Sequence, residues 1–202
     1  MEEYKLEDKV FKFEDIDLSG TYSYADYLKW EFDERVELIK GKVFPMSAPN
    51  TFHQQVSGTV FGLLFQYLRK KPCKVFSAPF DVRFPRRSKD DKEIMTVLQP
   101  DVSVFCDRGN LDARGGIGTP DIVVEILSPG NNKKELKNKY EVYEEAGVRE
   151  YWVIHPAEKT LLKYTLDTNG KFQSSRLLTL GDEVTSSVLP GFSMSLDEVF
   201  ED

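Results

Sequence analysis

The run Ile122-Val123-Val124-Glu125-Ile126-Leu127 places a carboxylate in the middle of an otherwise apolar stretch. Its length, its β-branched residues and the closing Ser128-Pro129-Gly130 read as a central strand covered on both faces. An ionised carboxylate in such a place costs on the order of several kcal/mol unless a metal, a cation or hydrogen bonds compensate it. Any fold for this chain must therefore bury a sheet under helices and also give Glu125 a partner.

Strand periodicity sets Asp121, Val123, Glu125 and Leu127 on one face. Upstream, Asp101 follows Pro100 and precedes the apolar Val102-Ser103-Val104-Phe105. Pro100 has no N–H and suits a strand start, so Asp101 reads as a carboxylate at a strand end, where ligand sites gather in α/β folds. A simple strand-capping role for Asp101 competes with this, as does a buried structural ion pair for Glu125. The segment after the Glu125 strand predicts a helix near 132–146 with Leu136, Tyr140 and Tyr143 on its apolar side. Lys139 borders that stripe and faces the sheet, whereas Lys134, Lys137 and Glu141 point elsewhere. A lysine snorkelling along the stripe edge is the competing reading.

The remaining chain supports an α/β class, a mixed sheet flanked by helices in a single domain. Residues 1–20 read as a polar arm and 21–202 as the domain. Ser23 caps a short helix through Tyr24, Tyr27 and Leu28. Val36-Glu37-Leu38-Ile39 and Lys42-Val43-Phe44 flank a hairpin turn at Lys40-Gly41. A helix from Asn50 or Thr51 to about Lys70 carries Phe52, Val56, Val60, Leu63 and Tyr67 as its stripe. Strands follow near 74–77, 80–84 and 97–105, with a polar, mobile loop over 85–92. After the helix come a strand at 150–154, an antiparallel partner over 159–166, a short strand and a final helical turn after Ser195. Taken alone, Glu37 reads as a solvated hairpin residue and His53 as a cap or surface residue.

Bulk properties exclude some classes. The 202 residues carry a net charge of −7 and a pI near 5.1, which argues against nonspecific coating of nucleic acid but allows a local basic patch. No apolar stretch reaches a membrane span, and the charged start Met1-Glu2-Glu3-Tyr4-Lys5 is no secretory signal. Cys73 and Cys106 share no metal-type spacing; each reads as a buried thiol, with a cytoplasmic setting to match. With only His53 and His155 available besides, zinc is disfavoured.

A family resemblance is carried by Glu37-Leu38-Ile39-Lys40-Gly41 with Met46, His53, Pro100-Asp101-Val102, Asp121 through Pro129, Lys139-Tyr140, and Ala146 through Ile154. Over roughly residues 20–200 the chain resembles the Uma2-type endonucleases of the PD-(D/E)xK superfamily. The resemblance implies a restriction-endonuclease-like mixed sheet flanked by helices. It makes Asp101 and Glu125 the metal carboxylates, and Glu37 and His53 accessory site residues. The superfamily lysine belongs two residues after the second acid, where this chain has Leu127. Lys139 resembles the relocated lysine of this branch.

The chemistry that would follow is metal-dependent phosphodiester hydrolysis. Mg²⁺, or Mn²⁺, is expected on Asp101, Glu125 and the Ile126 carbonyl, with Lys139 beside the attacking water. Glu37 would serve a second metal or its water, and His53 a phosphate contact or proton shuttle. Arg83, Arg86, Arg87 and Lys89, with Lys133 and Lys134, would track a nucleic-acid backbone, DNA being the expected substrate. A homodimer would suit the cutting of two strands. The main alternative is an inactive binding or scaffolding module of the same fold. A two-carboxylate glycosidase fits the apolar strand and the lysine poorly.

Overall fold

The computed structural model describes residues 9–128 and 133–201, with backbone only for 133–135. A 3₁₀ turn (Phe13–Asp15) and α1 (Tyr24–Tyr27) lead into the hairpin of β1 (Val36–Ile39) and β2 (Lys42–Pro45). After α2 (Thr51–Leu68) come β3 (Lys74–Ser77), β4 (Val82–Arg83), β5 (Val97–Leu98), β6 (Val102–Phe105), β7 (Leu111–Asp112), β8 (Gly115–Ile117) and β9 (Ile122–Ile126). Then α3 (Lys133–Ala146) precedes β10 (Glu150–His155), β11 (Thr160–Leu166), β12 (Phe172–Ser174), β13 (Leu178–Thr179), β14 (Glu183–Thr185), β15 (Ser193–Ser195) and α4 (Leu196–Val199).

Local chemistry explains the boundaries. Ser23 and Asp26 form a capping box at α1, and Asn50 accepts the His53 N–H at the start of α2, each satisfying an orphan N–H. Lys40 and Gly41, with φ of 50° and 80°, make the tight β1–β2 turn. The parallel pair β9–β10 flanks α3, with Glu125 opposite Val153. As expected, β11 is antiparallel to β10.

Among the described residues, three sheets stand where a single mixed sheet was expected. The larger runs β12-β11-β10-β9-β6-β3, with β13 also on β11; the second runs β2-β1-β5-β4-β8-β7; β14 and β15 form a small ribbon. The strand expected over 97–105 is two strands in different sheets. Pro100 cannot donate to a ladder, so Gln99-Pro100-Asp101 crosses from β5 in one sheet to β6 in the other.

The larger sheet has two unlike faces. Val56, Val60, Leu64 and Leu68 of α2 pack on Val102, Val104, Ile122, Val124, Ile126, Trp152 and Ile154, closed by Phe192, Met194, Val199 and Phe200. On the opposite face, Val142 and Tyr143 of α3 meet Val123, Tyr151 and Val153, together with Val82, Phe84 and Leu98 of the second sheet. The buried side of α2 is His53, Val56, Val60, Leu64 and Leu68, one residue round from the predicted stripe, which turns His53 inward.

Other expectations need correction. Residues 1–8 lie outside the described residues, but the arm is docked from residue 9 onward: Val10 bridges Trp30 and Ile16 is buried. The 85–92 loop is tied by an Asp91–Arg114 ion pair of 2.6 Å. Cys73 and Cys106 are not free thiols. They form a disulfide, because the β3–β6 register that pairs Lys74 with Phe105 brings the next residues together. The thiol-based support for a cytoplasmic setting falls with it. Among the described residues no helix is long and apolar enough to cross a membrane.

Candidate active site

Alternation along β9 sends Ile122, Val124 and Ile126 into the α2 core and turns Val123 and Glu125 toward α3. Glu125 is 6% exposed. Its partners come from α3 at helical i,i+4 spacing. Lys139 Nζ lies 3.1 Å from both carboxylate oxygens, and Tyr143 OH donates to Oε1 at 2.5 Å. Lys139 is itself buried and reaches Glu37 Oε2 at 3.1 Å. Glu37, expected to be solvated or to face a metal, is 1% exposed and accepts the Gln99 backbone N–H at 2.8 Å on its other oxygen. It stands behind Lys139, outside the cavity wall, and fixes the lysine in place.

Asp101 approaches from the other strand end. Its Oδ2 accepts the Ile126 N–H at 2.7 Å, and its Oδ1 lies 3.4 Å from His53 Nε2. Asp101, Glu125, Ile126, Lys139 and His53 all line one cavity of about 290 Å³. The predicted carboxylates, lysine and histidine thus come together from four elements.

Arg35, Gln99 and Tyr143 also belong here and were not expected. Arg35 lines the cavity, and its Nε and Nη2 donate to Gln99 Oε1 at 3.2 and 2.6 Å. Gln99 Nε2 donates to Asp81 Oδ1 at 2.8 Å and to Tyr27 OH at 3.2 Å. Tyr143 was legible as the residue four after Lys139, but its ring placed it in the apolar stripe. Arg35 and Gln99 meet across 64 positions, and no local pattern signals that.

Asp101 and Glu125 line the cavity with the cations Lys139 and Arg35, and Glu37 stands behind the lysine. Burial pushes the Glu125 carboxyl up to about 8, with Asp101 and Glu37 adding to the rise and Lys139 opposing it. Burial acts to lower the Lys139 ammonium, but Glu125 and Glu37 outweigh it, and the ammonium is held more tightly protonated than an ordinary lysine. Burial likewise opposes the His53 imidazolium, yet Asp101 prevails and the net shift is upward, with the Ile126 carbonyl and Glu125 acting in the same direction.

Hard oxygen donors from Asp101, Glu125 and the Ile126 carbonyl suit Mg²⁺ or Mn²⁺. Glu125 Oε1 already accepts from both Lys139 and Tyr143, whereas Glu125 Oε2 and the two Asp101 oxygens each have one protein partner and retain a lone pair. Among the described residues no group of three His, Cys, Asp or Glu side chains is gathered as metal ligands.

The expected basic track does not line this cavity. Arg83 is fully buried, donating to the Gly116 carbonyl at 3.0 Å and pairing with Asp112, above the Tyr24 ring. It is a structural cation and not a backbone contact. Arg86 is exposed but pairs with Glu145 beside a different cavity. Arg87 and Lys89 are exposed, and neither lines the candidate site. The side chains of Lys133 and Lys134 lie outside the described residues.

Comparison with known proteins gives the arrangement a family. Residues 24–197 match the Uma2 family, described as "putative restriction endonuclease". The chain belongs to the Uma2 family. An uncharacterised protein of Synechocystis sp. is 25% identical over 120 residues, covering 58% of this chain and 60% of that protein. The chain thus matches less than two thirds of that relative's length. The crystal structure of "a putative nuclease belonging to DUF820" from Anabaena variabilis superposes with a TM-score of 0.68 at 20% identity, covering 89% of this chain and 97% of that one. That likeness shows a shared mixed α/β fold, the class expected from the sequence.

Proposed function

We propose that the chain is a metal-dependent endonuclease that hydrolyses phosphodiester bonds of DNA, with Asp101, Glu125 and Lys139 at its centre. The observation that carries this reading is the cavity itself. Two carboxylates, Ile126 and the cations Lys139 and Arg35 border one polar space, a lining that offers oxygen donors to a metal ion and positive charge to a phosphate.

In this reading Asp101, Glu125 and the Ile126 carbonyl hold a divalent cation. When bound, that cation supplies charge neutralisation and an activated water. Lys139 donates hydrogen bonds toward the developing phosphate charge, its position fixed from behind by Glu37. His53, tuned toward its protonated form by Asp101, holds a proton within reach of the cavity. Arg35 is bound by a neutral amide and not by a carboxylate, so its charge remains available to a phosphate at the mouth. The rival reading, an inactive binding module, draws on Lys139, which already compensates Glu125 without a cation.

Thermal melts in EDTA, Mg²⁺, Mn²⁺ and Ca²⁺, on the native chain and Asp101→Ala, separate the two. The nuclease reading expects a rise of roughly 5–10 °C at a hundredfold excess of metal over Kd, lost in the variant. It also expects Mg²⁺- or Mn²⁺-dependent nicking of plasmid DNA, reduced at least about a thousandfold by Asp101→Ala. Equal melts and no nicking would leave the binding module.

A further inference from the structure

One helix of this acidic protein carries no acid. The chain has 34 Asp and Glu among 202 residues, yet Thr51–Leu68 contains no Asp, Glu, Lys or Arg. Arg69, Lys70 and Lys71 follow at once, all exposed. The i±4 ridge of α2 is His53, Ser57, Phe61, Phe65 and Arg69. Along it, the side chains pass from buried through half-buried to exposed. His53 is buried at Asp101, Ser57 and Phe61 are half-buried on the cavity wall, Phe65 is 53% exposed, and Arg69 stands in solvent. The ridge thus begins in the candidate site and ends at the basic cluster, about 24 Å away at 1.5 Å per residue.

The rings of Phe61 and Phe65 are stacked, with centroids 5.9 Å apart and planes 20° apart. A ring as exposed as Phe65 contributes little to the core. Gly58 and Gly62 lie beside the ridge, and a Cβ built on either would meet nothing within 4 Å. Each costs the helix about 1 kcal/mol relative to alanine, and packing gives no reason for that cost. Their effect is to leave room along the aromatic ridge.

We infer that the His53–Arg69 ridge of α2 is the track of an unpaired polynucleotide strand leading to the active site. Bases stack on Phe61 and Phe65, the strand passes over the gap at Gly58 and Gly62, and Arg69 with Lys70 takes the backbone phosphates. Stacked rings beside a cationic end bind single strands with little sequence preference, because every base has a flat face. Paired bases hide those faces, so the ridge selects unpaired segments. The absence of any carboxylate from the helix fits a polyanion. This inference names the substrate form for the nuclease reading and rests on it.

Fluorescence anisotropy with labelled oligo(dT), oligo(U) and a duplex of equal length, in EDTA at low salt, tests the track independently of cleavage. The native chain is expected to bind either single strand more tightly than the duplex; the oligo(dT) and oligo(U) arms show whether the strand is DNA or RNA. Phe65→Ala combined with Phe61→Leu should weaken single-strand binding about tenfold or more, and Arg69→Glu with Lys70→Glu should flatten its salt dependence. Gly62→Gln supplies a variant that cannot owe its effect to misfolding. It should melt no lower than the native chain and still weaken binding by filling the track. Unchanged binding in both the phenylalanine and glycine variants would overturn the track, as would tighter binding to duplex. So would self-association abolished by Phe65→Ala, which would make the ridge an interface between copies. Binding without any metal-dependent cleavage would keep the track and reject the nuclease reading; cleavage indifferent to the ridge would do the reverse.

Discussion

The two faces of β9 solve different problems. Ile122, Val124 and Ile126 enter a dry core shared with α2 and the C-terminal segment. Two positions from Val123 on the other face, Glu125 is held by Lys139 and Tyr143, with Glu37 and Asp101 close behind. The first face is specified by volume, so the requirement on each residue is to fill space. The second is specified by charge balance, so removing one member exposes the others. Burial is nearly equal on both, and only the second has chemistry to offer.

The sharpest way to break this contrast is Lys139→Met. It leaves Glu37 and Glu125 without their shared cation, and should cost about 3–5 kcal/mol in urea unfolding above about pH 8, where the Glu125 carboxyl is ionised. That deficit should shrink as pH falls through about 8 and the Glu125 carboxyl takes up a proton. Leu64→Ala on the dry face should cost about 2–5 kcal/mol with no such pH dependence. If the two variants shared one pH profile, the division into a volume-specified and a charge-specified face would be wrong.

A finer test is Glu125→Gln in metal-free buffer. Glu125 has its carboxyl raised from 4.5 to about 8 in the folded chain. Between those values the native state holds a proton that the unfolded chain has released, so stability falls as pH rises through this window, by at most about 1.4 kcal/mol per pH unit. The variant's profile should be flatter there, since Lys139 keeps Glu37 as its partner. A variant that followed the native slope would relocate that proton. Smallest of all, Arg86→Ala should change stability by under about 0.5 kcal/mol and leave cleavage untouched, because Arg86 pairs with Glu145 away from the site.

How much of this was legible follows from the range of each interaction. The β1–β2 hairpin, α2, β9 and α3 were readable because caps, turn residues and periodicity are local. Glu125 and Lys139 were readable because each is a charge where apolar neighbours predict burial, and Asp101 because Pro100 marks a strand start. Arg83 was misread because its partner Asp112 lies in the β7–β8 hairpin, whose short strands left no pattern to see. Arg35 and Gln99 escaped because they meet through the β1–β5 pairing. The Cys73–Cys106 link depends likewise on a strand register and not on cysteine spacing. His53 was read as a cap or surface residue because a one-residue rotation of its helix, which periodicity alone does not resolve, decides whether it turns inward.

Gln99-Pro100-Asp101 joins the two sheets, and this has a kinetic consequence. The Gln99 N–H holds Glu37 in the second sheet, while two residues later Asp101 holds the Ile126 N–H in the first. Glu37 and Lys139, which meet only when both sheets are docked, are about a hundred positions apart in the chain. Contacts of such long range form late. A newly made or partly unfolded chain therefore lacks a complete constellation, and the proposed hydrolytic activity would belong to the finished domain alone.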